Sequence, residues 1–275
     1  MADGDKDILA KLAAQEKEEG NLPLLLEFYQ KLLQLQSSAQ KRIVTPVPDL
    51  NREAIRIRIQ KGLPLVGFND LTLDWPLMQD IFTQVSAVFA NYSQLFGETA
   101  GRLKETGYSC ILTKKVVEAW YTGKELPSTI LDGVSKNLML AIIQATLQPF
   151  LASYAQVLSS SVEQELWRPG YCPICGGSPD LACLKGEYGA RWLLCSRCDT
   201  EWLFQRLGCP YCGTQDQHAL AFFTDDKELY RLYVCEQCKC YLKAVDLRKT
   251  EAEVPLPLER LYTIDLDTQA VGKGY

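Results

Sequence analysis

The chain has 275 residues, 47% of them apolar and 23% charged, with a formal net charge of −5 at neutral pH. That length allows one or two domains with ordinary hydrophobic cores. The charge splits as −3 before Trp167 (16 basic, 19 acidic) and −2 from there on (13 basic, 15 acidic), so neither half is the basic surface that phosphate backbones require.

The chain opens on Met1-Ala2-Asp3-Gly4-Asp5-Lys6-Asp7, an acidic stretch unlike the basic and apolar regions of a secretory signal. The expected compartment is therefore the cytoplasm, where thiols stay reduced. Leu22, Leu25, Leu26, Tyr29, Leu32 and Leu33 recur at helical spacing. Pro46-Val47-Pro48 reads as a linker. Ile55-Arg56-Ile57-Arg58-Ile59 alternates like a strand, yet follows a helix-start residue at Asn51, and the two readings conflict. Trp75-Pro76 opens a helix expected to run through Phe96 to a stop at Gly97. Another is expected over Cys110–Tyr121, ending at Gly123, with Cys110 in the core. The longest is expected over Ser128–Trp167, bent at Pro149; its polar interruptions leave the apolar run too short for a bilayer. Trp167-Arg168-Pro169-Gly170 reads as the domain boundary.

Beyond it stand four Cys-x-x-Cys pairs: Cys172/Cys175, Cys195/Cys198, Cys209/Cys212 and Cys235/Cys238, eight of the eleven cysteines. They form an internal repeat. Tyr171-Cys172-Pro173-Ile174-Cys175-Gly176 corresponds to Gly208-Cys209-Pro210-Tyr211-Cys212-Gly213, and Arg191-Trp192-Leu193-Leu194-Cys195 to Arg231-Leu232-Tyr233-Val234-Cys235. In the first pair of each block, proline sets the turn and glycine can take positive φ after the second cysteine. The second pair follows an apolar, aromatic-rich run that reads as a strand. Two such turns brought together make a tetrahedral thiolate cage for zinc or iron. Duplication favours sequential pairing, the first two pairs on one ion and the last two on another; a cross-braced arrangement is the rival. Cys183 and Cys240 are expected to be ordinary thiols.

The expected fold class is thus an all-helical N-terminal domain (1–166) followed by two small metal-stapled β modules of the rubredoxin-like or zinc-ribbon kind (167–207 and 208–250) and a tail (251–275). Modules that small rarely bury enough apolar surface to fold unaided. A structural tetrathiolate site supplies on the order of 10 to 16 kcal/mol of apparent binding energy. Disulfides and a thioredoxin-type dithiol fit four repeated pairs less well.

The run Arg191-Trp192-Leu193-Leu194-Cys195-Ser196-Arg197-Cys198-Asp199-Thr200-Glu201-Trp202, followed by Arg206 and Cys209-Pro210-Tyr211-Cys212, resembles the FdhE family of formate dehydrogenase accessory proteins. Cys172-Pro173-Ile174-Cys175-Gly176 and Cys235-Glu236-Gln237-Cys238-Lys239-Cys240-Tyr241-Leu242-Lys243 fit the family's first and last pairs. The resemblance spans residues 165–250. It implies a cytoplasmic, non-catalytic factor that binds the formate dehydrogenase catalytic subunit during maturation, and it implies iron in rubredoxin-like sites. It carries over the eight paired cysteines as metal ligands. Thr200-Glu201-Trp202 is carried over as motif alone.

No glycine-rich phosphate loop, serine-nucleophile motif or paired-carboxylate motif stands out, and the only histidine, His218, falls in a loop of the second module. The reading is therefore a binding protein, not an enzyme, with no membrane span and with homodimerisation left open. Its rivals are a rubredoxin-like electron carrier and a nucleic-acid-binding zinc ribbon, the latter disfavoured by charge. For Thr200-Glu201-Trp202, packing of Trp202 with Glu201 in solvent stands beside a partner contact.

Overall fold

In the computed structural model, residues 3–44, 51–104, 112–130 and 133–275 are described. The helical segments come first. α1 (Asp3–Glu19) and α2 (Leu24–Gln40) precede α3 (Arg52–Gln60), α4 (Trp75–Asn91) and α5 (Ser93–Phe96). α6 (Lys114–Thr122) and α7 (Lys136–Leu158) follow. Six strands come next: β1 (Pro179–Lys185), β2 (Ala190–Cys195), β3 (Glu201–Phe204), β4 (Leu220–Thr224), β5 (Tyr230–Cys235) and β6 (Tyr241–Asp246). The chain ends in α8 (Leu256–Tyr262) and α9 (Ile264–Gly272). The expected order, helices first and then strands bearing two four-cysteine clusters, holds.

Local chemistry accounts for most boundaries. Asn51 caps α3 by accepting from the Ala54 N–H at 2.8 Å, and Ile55 and Ile59, one turn apart, are buried while Ile57 is exposed. That decides the ambiguous isoleucine run in favour of a helix. Asp74 caps α4 just ahead of Pro76, but α4 stops at Asn91, short of the expected Gly97, and the chain restarts as the single turn of α5. α6 ends at Gly123 in the left-handed region, as the glycine implies. The longest helix is shorter than expected at both ends, with Pro149 inside it. Cys110 and Pro46-Val47-Pro48 lie outside the described residues.

Two compact units result: Met1–Pro46 with Phe68–Ser153, and Val47–Gly67 with Tyr154–Tyr275. This division differs from a single cut at Trp167, because residues 47–67 join the sheet-bearing unit. In the first unit, Phe28 packs edge-on against Phe89 and Phe96, with ring centroids 5.0 and 4.8 Å apart. There Gln36 donates to the Ala145 carbonyl at 2.9 Å, tying α2 to α7. The segment Lys136–Ser161 is apolar and long enough to cross a membrane by length and composition, contrary to the sequence expectation, but 72% of its apolar window is buried within the protein, as in a core helix.

In the second unit the two cysteine-bearing repeats share one six-stranded sheet, ordered β3-β2-β1-β6-β5-β4. Each repeat is an antiparallel three-stranded meander. They fuse where β1 pairs in parallel with β6, Leu181 opposite Lys243 and Cys183 opposite Val245. Residues 251–275, expected to be a tail, supply α8 and α9. Leu256 of α8 packs on Leu181, Cys183, Leu194 and Val245, and Ala270 of α9 on Leu232 and Val234.

Candidate metal centres

All four Cys-x-x-Cys turns adopt one backbone design. In each, the first cysteine donates its N–H to the carbonyl five residues on and accepts from the N–H four residues on. The pairs are Cys172 with Gly177 and Gly176, Cys195 with Thr200 and Asp199, Cys209 with Thr214 and Gly213, and Cys235 with Cys240 and Lys239, all at 2.8–3.3 Å. The residue after each second cysteine is left-handed: Gly176 (φ 70°), Asp199 (φ 57°), Gly213 (φ 76°) and Lys239 (φ 56°). The first turn of each repeat precedes its first strand, and the second turn links its last two strands. The meander therefore brings the two turns together.

The thiols gather as Cys172, Cys175, Cys195 and Cys198 in one group and Cys209, Cys212, Cys235 and Cys238 in the other, each with its sulfurs within 4.8 Å of one another. This is the sequential arrangement. In the first group Cys172–Cys198, Cys175–Cys195 and Cys175–Cys198 lie 3.6, 3.5 and 3.5 Å apart. In the second, Cys209–Cys238 and Cys212–Cys235 lie 3.6 and 3.7 Å apart. Four sulfurs around an ion at about 2.3 Å stand roughly 3.8 Å apart. A disulfide would require ~2.05 Å, and all eight are free thiols. Backbone N–H groups of Ile174 and Arg197 point at the sulfurs of Cys172 and Cys195, both at 3.4 Å.

Burial and crowding oppose ionisation of Cys175, Cys209 and Cys238. Cys175 is pushed well up, first by its hydrogen bond with Cys172, then by those with Cys195 and Cys198 and by burial. Burial also pushes up Cys209 and Cys238. At Cys235 burial acts upward too, but the N–H groups of Cys238 and Gln237 and the neighbouring thiols outweigh it, and that thiol falls. A divalent cation in such a cage reverses the balance, because it favours thiolate. The donor set fits zinc or iron, and four protein sulfurs leave no open coordination position.

A family model described as the FdhE central domain matches residues 171–206, which hold the first four-cysteine group. An FdhE homolog from Aquifex aeolicus is 26% identical over 255 residues, 91% of this chain and 85% of the relative. The chain is thus similar to FdhE proteins along most of its length. A second FdhE homolog, from a Shewanella species, is 28% identical over 136 residues, which is 48% of this chain and about half the relative's length at 45%. The crystal structure of the FdhE protein from Pseudomonas aeruginosa has the same fold, with a TM-score of 0.63 at 22% identity, covering 99% of this chain and 91% of that one.

Other residues of the FdhE-like motif serve the cage and the sheet. Thr200 is buried with its hydroxyl 3.1 Å from the Cys198 sulfur. Trp202 is fully buried. Glu201 is not simply solvated: it pairs with Lys185 and accepts from the Cys183 thiol at 3.7 Å. Cys183 and Cys240 fall in neither four-sulfur group, and His218 is exposed on a short turn.

Three features escaped the sequence reading. Residues after α3 cover the first turn: the Leu65 and Val66 N–H groups donate to the Pro173 and Ile174 carbonyls at 2.8 and 2.9 Å. Arg260 of α8 grips the second turn through the Cys195 carbonyl (2.7 Å) and Asp199 (2.6 Å). Arg191, 3% exposed, donates to the Gly208 carbonyl at 2.6 Å, beside Cys209, and lies over the Phe204 and Tyr233 rings. Its repeat counterpart Arg231 instead pairs with Asp246 at 2.7 Å. Only the recurrence of arginine before each strand-end cysteine hinted at this.

Proposed function

We propose that this chain is an accessory factor that binds the catalytic subunit of a formate dehydrogenase during its maturation, in the cytoplasm, without turnover of its own. Cys172, Cys175, Cys195 and Cys198 would hold one metal ion and Cys209, Cys212, Cys235 and Cys238 another, iron or zinc. The ions would staple the two meanders (167–207 and 208–250) and thereby shape the docking surface. The observation that carries the reading is the pair of closed four-sulfur cages in a chain matched to FdhE homologs along most of its length. A closed cage offers structure, not Lewis-acid catalysis.

The test is co-purification of the tagged full-length chain with the catalytic subunit of the formate dehydrogenase from the same cell. Retention of that subunit, lost on replacing Cys195 and Cys198 by serine, is the expected result. No retention by the metal-loaded protein would overturn the proposal. The electron-carrier alternative has one point in its favour, the solvent contact of Cys212, and requires a reversible reduction potential in the iron-loaded chain.

A further inference from the structure

The two cages differ in a way that the repeat alone does not imply. In the first, Cys172, Cys175, Cys195 and Cys198 are all at most 3% exposed. Much of their cover is built from outside the repeat. The 65–66 segment pairs with the first turn, Leu65 and Ile174 are both fully buried, and Pro64 packs over Gly176. On the other side, Arg197 lies along Gly177 beside the Cys195 sulfur, and Arg260 clamps the second turn.

In the second cage Cys209 and Cys235 are buried, Cys238 is half-buried and Cys212 is exposed. Pro210 and Tyr211, the counterparts of the buried Pro173 and Ile174, are only half-buried. Gly213 has open space where a side chain would go. The cover that exists is light. The ring of the C-terminal Tyr275 lies 5.4 Å from the Lys239 ammonium, and its hydroxyl donates to Glu236, both on the surface.

We infer that the second four-cysteine site is an exchangeable metal site entered at Cys212, whereas the first releases its ion far more slowly; this rests on the reading of both groups as metal ligands. The exchange is a ligand substitution. A soft donor from solution, a thiolate or a nitrogen chelator, brings an electron pair to the ion as the Cys212 sulfur leaves and takes a proton from water. No oxidant or reductant is needed. Burial prevents the same approach at the first site, because a donor must reach a ligand edge before any sulfur departs.

The test uses the full chain loaded with zinc and challenged with the chromogenic chelator 4-(2-pyridylazo)resorcinol. The expected result is two phases of one ion each, with rates separated by at least tenfold. Replacing Cys212 and Cys235 together by serine should leave a single slowly released ion, while Cys240→Ser should change neither phase. On the unsubstituted zinc-loaded chain, a short iodoacetamide pulse mapped by mass spectrometry should label Cys212 ahead of the other seven ligands. Two ions leaving at one rate, or labelling that starts at the first site, would overturn the inference while leaving the metal reading intact. A chain that binds no zinc sinks both.

Discussion

Gly170 and Pro210 touch so closely that a Cβ on the glycine would lie 2.0 Å from the Pro210 carbonyl oxygen and 2.6 Å from its Cα. The entrance to the first cage is thus packed on the backbone of the third Cys-x-x-Cys turn, where neither side can yield by rotating a side chain. Gly170→Ala should force the two turns apart and cost about 1–3 kcal/mol, as overpacking does in other interiors. Thermal unfolding of the metal-loaded protein measures it. A melting temperature equal to that of the unsubstituted chain would show that the two turns are not held together.

Asp246 at the end of β6 is a second such constraint. It is fully buried, pairs with Arg231 at 2.7 Å and Arg248 at 2.6 Å, and accepts from the Arg248 N–H. Burial alone would raise its carboxyl pKa, but the bonds from Arg248 and the charge of Arg231 prevail and hold it below the ordinary value. A depressed folded-state pKa contributes stability that is present above the unfolded value of about 3.9 and lost as pH falls through the folded one. Asp246→Asn should therefore remove about 3–5 kcal/mol at neutral pH, since it leaves two guanidinium groups facing a neutral amide. The variant's disadvantage should stay constant in denaturant melts of the metal-loaded protein from pH 6 to pH 8, far above both carboxyl values. A disadvantage that varies across that window, or that is absent at pH 7, would contradict this.

The four turns make a third prediction by their left-handed residues. Asp199 and Lys239 occupy positions that glycine holds in the other two turns. A side chain there costs about 1–2 kcal/mol relative to glycine. Lys239 offsets little of that, because its pair with Glu236 is exposed. Asp199 offsets more through its 2.6 Å bond with Arg260. Lys239→Gly should thus be neutral or stabilising by up to ~1 kcal/mol, and Asp199→Gly destabilising by about 1 kcal/mol or more. Chemical denaturation of the two zinc-loaded variants separates them, and the reverse order would refute the argument.

The cages were legible because their determinants are local. Cys-Pro-x-Cys-Gly states its turn, its positive φ and its ligands within five residues, and duplication then chose the pairing. The left-handed Asp199 and Lys239 were not read, because the alignment of repeats set them opposite each other and not opposite Gly176 or Gly213. Where determinants are distant, the sequence was silent. The pairing of β1 with β6 joins strands about sixty residues apart by backbone hydrogen bonds that no side-chain pattern announces. The 62–66 segment covers the first cage through main-chain N–H groups, with only Leu65 and Val66 fully enclosed. α1 offers few apolar anchors, Ile8 and Leu12 among them, in a charged sequence, and α8 and α9 are short enough to read as a tail.

Metal removal gives the fourth prediction. Each meander has three strands of four to seven residues, and sheets that small are marginal without a staple. The core of the first unit, by contrast, is aromatic and aliphatic side chains such as Phe28, Phe82, Phe89 and Ile142, with no paired cysteine among them. Stripping both ions under reducing conditions withdraws on the order of 10 kcal/mol per site from the sheet-bearing unit, which exceeds the stability of most domains. Circular dichroism should then show loss of the strand signal with the helical signal largely kept, and restoring zinc should bring the strands back. Cys195→Ser with Cys198→Ser should lose part of the strand signal and bind one fewer ion. A stripped protein that keeps its sheet and melts in the same single transition as the loaded one would mean that packing, not sulfur–metal bonding, holds the meanders together.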